Sequence, residues 1–333
     1  AANKLGQWGE TTVSHNLNEY DARFKALGWN TTIIDGHDVS QIINAIRNAK
    51  QEQPNLIIAK TYKGKGVLQM QNKLGWHGKA LTEIELKSAL SDIPNPVMPK
   101  LSIKKPEKIK IKTLKSKSAL NVPVYEIGEE ISTRESYGKA LAYLAKSNPS
   151  VLALDAEVSD STKSEEVKKE SPKQFIECFI AEQNMIGMAL GLSKKGFNVF
   201  ASTFSAFLSR AHDQLRMSAL SQANFTVCGS HSGVSIGKDG PSQMGLEDIA
   251  IFRDLQDSII FYPSDANSTA KLVELASKIK GIKYIRTTRP KTKVIYNEKE
   301  KFAIGDFKVL RQSKKDKLVL VGSGITVHEA LKA

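Results

Sequence analysis

The stretch "FIAEQNMIGMALGL", Phe179 to Leu192, runs from the end of a strand into an apolar helix. Counting from Glu182, the residues three, four, seven and eight further on are Met185, Ile186, Ala189 and Leu190. All are apolar, so the carboxylate sits on the face that a helix buries. Two readings fit. Acids favour the first helical turn, where free N–H groups and the macrodipole stabilise them. Alternatively, a carboxylate among apolar neighbours retains a proton more readily and can share it with a ligand.

Working outward, the strand-then-helix pattern recurs. Downstream of about residue 129, helical "RESYGKALAYLAK" leads to "VLALDAE", then to the Glu182 helix, "FNVFAST", "FSAFLSRAHDQLRMSAL", "NFTVCGS", "SIIFYPS", "ANSTAKLVELASKI" and "IKYIRTT". Five or six strands with intervening helices predict a doubly wound α/β domain over 129–297. Upstream, "TTIIDG" and "NLIIAKTY" bracket the helical "SQIINAIRNAKQ", a second parallel α/β layout over 1–93. Between them, residues 94–128 lose the periodicity and gain Pro and Lys, which predicts a long linker. A third unit is expected at 302–333, with a strand, a Gly-Ser-Gly turn and a helix.

At 333 residues the chain has room for about two domains with cores of their own. No apolar run approaches the ~18 residues that span a membrane. The net charge of +13 invites a nucleic-acid reading, but its distribution argues otherwise. Lys100 to Lys117 holds eight lysines and one acid, Glu107, so over half the excess sits in the linker. That run has no aromatic residue on which a base could stack. Cys178 and Cys228 lack CxxC spacing and read as reduced core residues of an intracellular, cytoplasmic protein. The chain starts "AANKLGQW" and ends soon after its last helix begins; both ends are expected to be cut from a longer polypeptide.

Doubly wound sheets bind ligands beyond the carboxyl ends of their strands. Those ends carry Ser159 to Thr162 after "VLALDAE", Glu182 after "FIECFI", and Phe204, Phe207 and Arg210 after "FNVFAST". The Gly-rich "HSGVSIGKDGPSQM", with His231, Asp239 and Gln243, follows "NFTVCGS", and Arg289 follows "IKYIRTT". Each has an ordinary explanation alone: a core phenylalanine, a satisfied histidine, a surface cation, a loop that is not GxGxxG. Together with Arg134 they compose a site for an aromatic cofactor and an anionic, polar substrate.

These segments resemble transketolases. "FIECFIAEQNMIGMALGL", "STFSAFLSRAHDQLRM", "CGSHSGVSIGKDGPSQMGLEDIA", "FYPSDANSTAKLVELA" and "YIRTTRP" are similar to that family's pyrimidine-binding domain. "NKLGQ", "LGWNTTIIDGHD", "IIAKTYKGKGV" and "GWHGKAL" are similar to the end of its diphosphate-binding domain. Gln243 in "DGPSQ", where many microbial members carry His, resembles the mammalian-like branch.

The resemblance implies the thiamine diphosphate-binding fold, with thiamine diphosphate and Mg2+ (or Ca2+) as cofactors. It implies reversible transfer of a two-carbon ketol unit from a ketose phosphate to an aldose phosphate, in the pentose phosphate pathway. Glu182 would hydrogen-bond N1′ of the aminopyrimidine, favouring the imino form that deprotonates thiazolium C2. Phe204, Phe207 and Gln243 would surround the pyrimidine. Asn3 and the Leu5 carbonyl match metal ligands; Lys63 and His77 match groups at the cofactor and reacting centre, His77 also touching substrate. Arg134, Ser161, His231 and Arg289 match sugar-phosphate contacts, and Asp239 a reader of substrate hydroxyls. A homodimer with its active site at the subunit interface is implied. His37 and His212 match no site residue and are taken as structural.

Three departures stand out. The family's GDG-type diphosphate element lies upstream of this stretch, the third domain is short, and Lys238 replaces an acidic or small residue. The 333 residues alone are therefore expected to be inactive. The rival readings are a 1-deoxyxylulose-5-phosphate synthase-like enzyme, which shares the Glu-Gln element, and a non-catalytic interaction module.

Overall fold

The structure, a computed structural model, describes residues 1–94, 102 and 122–333. It divides into an N-terminal unit, Ala1–Lys108, and a C-terminal unit, Ile109–Ala333. Most of the linker expected at 94–128 lies outside the described residues.

The N-terminal unit contains α1 (Leu17–Ala26), β1 (Asn30–Asp35), α2 (Val39–Arg47), β2 (Asn55–Lys60) and α3 (Glu83–Asp92). β1 and β2 pair in parallel from Asn30↔Asn55 to Asp35↔Lys60, with α2 as the crossover, as the sequence pattern predicts. Asp38 caps α2 by accepting from the Ser40 and Gln41 amides, and Thr82 with Glu85 forms a capping box on α3. Two strands cover little apolar surface: Ile34, Ala45 and Ile58 are buried, whereas Ile43 and Ile46 of α2 stay exposed.

The C-terminal unit opens with β3 (Glu130–Ser132), α4 (Thr133–Ser147), β4 (Val151–Asp155), α5 (Ser159–Thr162), α6 (Glu165–Glu170) and β5 (Phe175–Glu177). There follow α7 (Glu182–Lys194), β6 (Asn198–Phe204), α8 (His212–Leu220), β7 (Phe225–Ser230), α9 (Asp248–Arg253) and β8 (Ile259–Phe261). α10 (Ala266–Lys278), β9 (Ile282–Arg286), β10 (Lys291–Lys293) and α11 (Thr326–Lys332) complete it. Six strands form one parallel sheet in the order β5-β4-β6-β7-β9-β8.

Alternation along β6 explains why both faces are covered. Val199 and Ala201 join Met185, Ile186 and Leu215 from α7 and α8, while Phe200 joins Tyr137, Leu141 and Val273 from α4 and α10. Cys178 and Cys228 are buried free thiols in these two clusters, as expected. After β4 the chain steps to one side to make β5, then to the other to make β6. The order therefore reverses between β4 and β6, and a crevice is expected beyond their carboxyl ends.

A two-stranded antiparallel ribbon, β10 with β3, pairs Lys291 with Ser132. It sets the start of α4 beside the segment after β9, where the Thr288 amide donates to Thr133 Oγ1 at 2.9 Å. A capping box of Ser132 and Glu135 fixes that helix start. Tyr125, within the expected linker, is buried and exchanges backbone hydrogen bonds with the Asn267 side chain.

The expected strand of the third unit does not form. Leu318, Val319, Leu320 and Val321 are exposed and unpaired in a ladder, whereas the helix at the end is present as α11. A lone strand gains no hydrogen bonds without a neighbour. No helix among the described residues is long and apolar enough to cross a membrane.

Candidate functional site

Glu182 begins α7, and the helix turns as its pattern requires: Met185, Ile186 and Ala189 are fully buried beneath it. The Glu182 residue is 3% exposed, yet its carboxylate borders a cavity of about 470 Å³ lined by Ile180, Ala181, Gln183, Asn184 and Arg210. The helical pattern did not disclose a cation on this acid. Arg210 Nη1 donates to Glu182 Oε1 at 3.1 Å and Oε2 at 3.3 Å, from a side chain that is 56% exposed.

The same guanidinium lies 5.3 Å from the Phe207 ring centre. Phe207 stacks on Phe204 at 5.1 Å and 13°, and Phe204 stacks on His231 at 4.0 Å and 14°. An acid, a cation and three rings thus form one continuous file across the ends of β6 and β7. Gln243 is half-buried in the short 3-10 helix Pro241–Gln243, in the loop after β7.

His231 begins an anion-friendly pole. It is buried at φ +58°, a left-handed conformation that a non-glycine residue rarely adopts, and Nδ1 lies 3.0 Å from Ser230 Oγ. Burial, then the nearby Arg134 and Arg289 charges, push the imidazole down to about 4, so it is neutral at pH 7. Arg289 Nη1 donates to Asp239 Oδ2 at 2.6 Å and to the Ile236 carbonyl at 2.7 Å. Arg134 Nη1 donates to the Ser161 carbonyl at 3.0 Å, while its Nε is buried without a partner among the described residues. Burial lowers Arg134 from the ordinary guanidinium range, partly offset by Glu135 and reinforced by Arg289. Two guanidiniums that repel one another around a neutral imidazole suit a bidentate oxyanion.

The structure therefore brings Glu182, Phe204, Phe207, Arg210 and His231 into one file, and Arg134, Ser161, Asp239 and Arg289 into hydrogen-bonded pairs around His231. The remaining expected site residues belong to the N-terminal unit. There Asn3 Oδ1 accepts from the Leu5 amide at 3.2 Å, and Lys63 Nζ donates to the Gly6 carbonyl at 3.1 Å. His77 is exposed in the loop before α3. His37 accepts from the Tyr62 amide at 2.9 Å, and His212 faces Asp254 at 3.7 Å; both contacts fit a structural role. An amide oxygen and a backbone carbonyl are hard donors suited to Mg2+, and among the described residues no cluster of three or more His, Cys, Asp or Glu offers a different site.

Sequence reasoning missed the brace behind the loop. Arg286 Nε donates to Asp248 Oδ2 at 2.7 Å, Tyr284 Oη donates to the same oxygen at 2.6 Å, and Arg286 Nη2 reaches the Gly245 carbonyl at 3.1 Å. Gly245 also accepts from the Gly233 amide and abuts Ser205, whose Oγ would lie 1.8 Å from any Cβ there. The readable signal was two cations, Lys283 and Arg286, inside a short buried strand, "IKYIR", with an acid in "LEDIA".

Residues 129–294 match the transketolase pyrimidine-binding domain, and residues 2–116 match the transketolase thiamine diphosphate-binding domain. Transketolase-like protein 2 of Mus musculus is 48% identical over 340 residues, covering 99% of this chain and 54% of the relative. Transketolase of Homo sapiens is 44% identical over 338 residues with the same coverages. The chain thus spans about half the length of the curated relatives it matches. Among solved structures, transketolase from Campylobacter jejuni superposes with a TM-score of 0.81 at 25% identity, covering 99% of this chain and 57% of that one. A split-gene transketolase, described as an inactive β4 tetramer, gives 0.55 at 37% identity over 61% of this chain and 66% of that one. With both domain matches in sequence order and the strand-end residues gathered as described, the chain belongs to the transketolase family.

Proposed function

We propose that this chain supplies the pyrimidine side of a thiamine diphosphate-dependent ketol-transfer site. The reaction is reversible transfer of a two-carbon unit from a ketose phosphate such as xylulose 5-phosphate to an aldose phosphate such as ribose 5-phosphate. The observation that carries this reading is the buried Glu182 carboxylate at a cavity, in line with the Phe207–Phe204–His231 stack. An acid beside aromatic rings fits the aminopyrimidine, and when bound the cofactor supplies a carbon nucleophile for the donor ketose.

In this reading Glu182 exchanges Arg210 for the pyrimidine N1′ and holds a proton there. Arg210 can leave because most of its side chain is in solvent. Phe204, Phe207 and Gln243 orient the ring. Arg134, Ser161, His231 and Arg289 hold the substrate phosphate, and Asp239, already fixed by Arg289, reads substrate hydroxyls. Asn3, Leu5, Lys63 and His77 serve the diphosphate, Mg2+ and reacting-centre side, reaching the pyrimidine side through a homodimer. The expected setting is the cytoplasmic pentose phosphate pathway.

The test is a coupled assay on the dimer formed by the polypeptide that contains this chain, with thiamine diphosphate, Mg2+, xylulose 5-phosphate and ribose 5-phosphate. Formation of sedoheptulose 7-phosphate supports the reading. Its absence, with pyruvate accepted as donor instead, would replace it with a deoxyxylulose-phosphate synthase-like activity.

A further inference from the structure

The turn between β4 and α6 is held in an improbable shape. Glu157 at φ +62° and Lys163 at φ +69° both adopt left-handed conformations without being glycine, and they bracket α5. Such conformations are strained and persist only when their surroundings over-determine them. Glu177 Oε1 accepts from the Glu157 amide at 3.0 Å, and one buried side chain, Asp155, ties the rest of the turn. Asp155, the last residue of β4, accepts from the Val158 amide at 2.7 Å through Oδ1. Its Oδ2 accepts from Thr162 Oγ1 at 2.6 Å and from Ser164 Oγ at 2.7 Å. The far side of the turn is pressed onto α4 at Gly138, where any Cβ would lie 2.1 Å from the Lys163 carbonyl. The middle of the turn presents the Ser161 carbonyl, which holds Arg134 Nη1.

We propose that Asp155 is a positioning residue for the anion pole: by fixing the 157–164 turn it sets the Ser161 carbonyl, and through it the aim of the Arg134 guanidinium. The proposal rests on the reading of Arg134 as a phosphate-binding group. Asp155 touches neither cofactor nor substrate; it acts through the turn.

Geometry also makes the device sensitive to pH. Burial pushes the Asp155 carboxyl up to about 6, opposed by its hydrogen bonds from Thr162, Ser164 and Val158 and aided by Glu177. The other titratable groups that feel it are the Cys178 thiol after β5, the Tyr137 phenol of α4 and the Cys228 thiol of β7; burial raises all three, so they are neutral at pH 7. Protonating Asp155 turns an acceptor oxygen into a donor, which one of its three donor partners must then face. The aim of Arg134 should therefore loosen as pH falls through about 6. His231, neutral down to about 4, adds no compensating charge in that window.

The probe is sulfate, which keeps its double charge between about pH 5 and 8, titrated into the 333-residue chain with binding read by calorimetry in every protein and the Arg134 Nε–H resonance followed in those that retain Arg134. The wild type is expected to bind, and Arg134→Ala to bind at least about tenfold more weakly, the worth of one charge-assisted hydrogen bond. Asp155→Asn, which keeps the shape but replaces an acceptor with an amide donor, is expected to lose about tenfold at pH 7.5. Wild-type affinity should fall as the pH is lowered through about 6, whereas the Asn variant should be flat. Should Asp155→Asn fail to fold, the Thr162→Val/Ser164→Ala pair, which keeps the carboxylate but removes two donors, is expected to show the same loss. Wild-type-like binding in the Asp155 or paired variant, with Arg134→Ala impaired, overturns the positioning role alone. Sulfate binding that Arg134→Ala leaves unchanged, or no binding by the wild type, overturns the phosphate reading and the proposal with it.

Discussion

Replacing Arg210 with Ala tests how Glu182 is held. A pair buried at both ends loses about 3–5 kcal/mol when one partner is removed, whereas exposed pairs contribute about 0–1 kcal/mol. This pair is mixed: Glu182 is 3% exposed and Arg210 is 56% exposed, beside a cavity of about 470 Å³ through which water can reach the carboxylate. The expected cost therefore lies between the limits, at about 1–2 kcal/mol, lowering the melting temperature of a unit this size by roughly 3–6 °C. Part of that could come from the Phe207 contact, which a double-mutant cycle separates. In a Glu182→Gln background the buried charge is gone, so adding Arg210→Ala should cost only the ring contact, about 0.5 kcal/mol. Thermal unfolding followed by near-UV circular dichroism reads all four proteins. If Arg210→Ala melts within about 1 °C of the wild type, or costs as much in the Gln background as in the native one, the carboxylate is not held by this cation.

Gly245→Ala should destabilise by about 1–3 kcal/mol or more, because the new methyl would meet Ser205 Oγ at 1.8 Å; denaturant unfolding measures it. The His231 imidazole is depressed to about 4 from 6.5, so the unfolded chain binds more protons between those values. Its contribution to stability is therefore full above about pH 6.5 and is lost as pH falls towards 4, and the denaturation midpoint should fall less in His231→Gln than in the wild type over that range. Lys283 is buried with Nζ donating to Asn224 Oδ1 and to the carbonyls of Ile279 and Gly281, and burial pushes it down to about 8. The unfolded chain then binds more protons from about pH 8 to 10.5, so the wild type should gain stability relative to Lys283→Met as pH rises through that window.

Much of the fold was legible because apolar strand runs alternate with helical patterns; caps helped less, since α7 begins after Ala181 with no side-chain cap, whereas α2, α3, α4 and α10 have one. The six-stranded sheet follows from the repeated strand–helix pattern, and its two covered faces from alternation such as Val199, Phe200, Ala201. The third unit was not legible in the same way, since "KLVLVGSG" looks like a strand but has no neighbour to pair with in 302–333. At the candidate site, strand-end logic singled out Glu182, His231 and Arg289, because topology places such residues together whatever their sequence separation, and Arg134 was added from the start of α4. It found neither the Arg210–Glu182 contact nor the Asp155 network. Those depend on side-chain reach across 28 residues and on a turn with two left-handed residues, which no periodicity encodes. Arg286 with Asp248 was missed for the same reason: the partners are 38 residues apart.

The central claim, that Glu182 is the acid serving the pyrimidine of thiamine diphosphate, is tested most directly by the coupled ketol-transfer assay proposed above, run on the polypeptide that contains this chain with Glu182→Ala. The expected result is that sedoheptulose 7-phosphate formation is abolished while circular dichroism and oligomeric state remain as in the wild type. Near-normal turnover by a folded Glu182→Ala variant would contradict it.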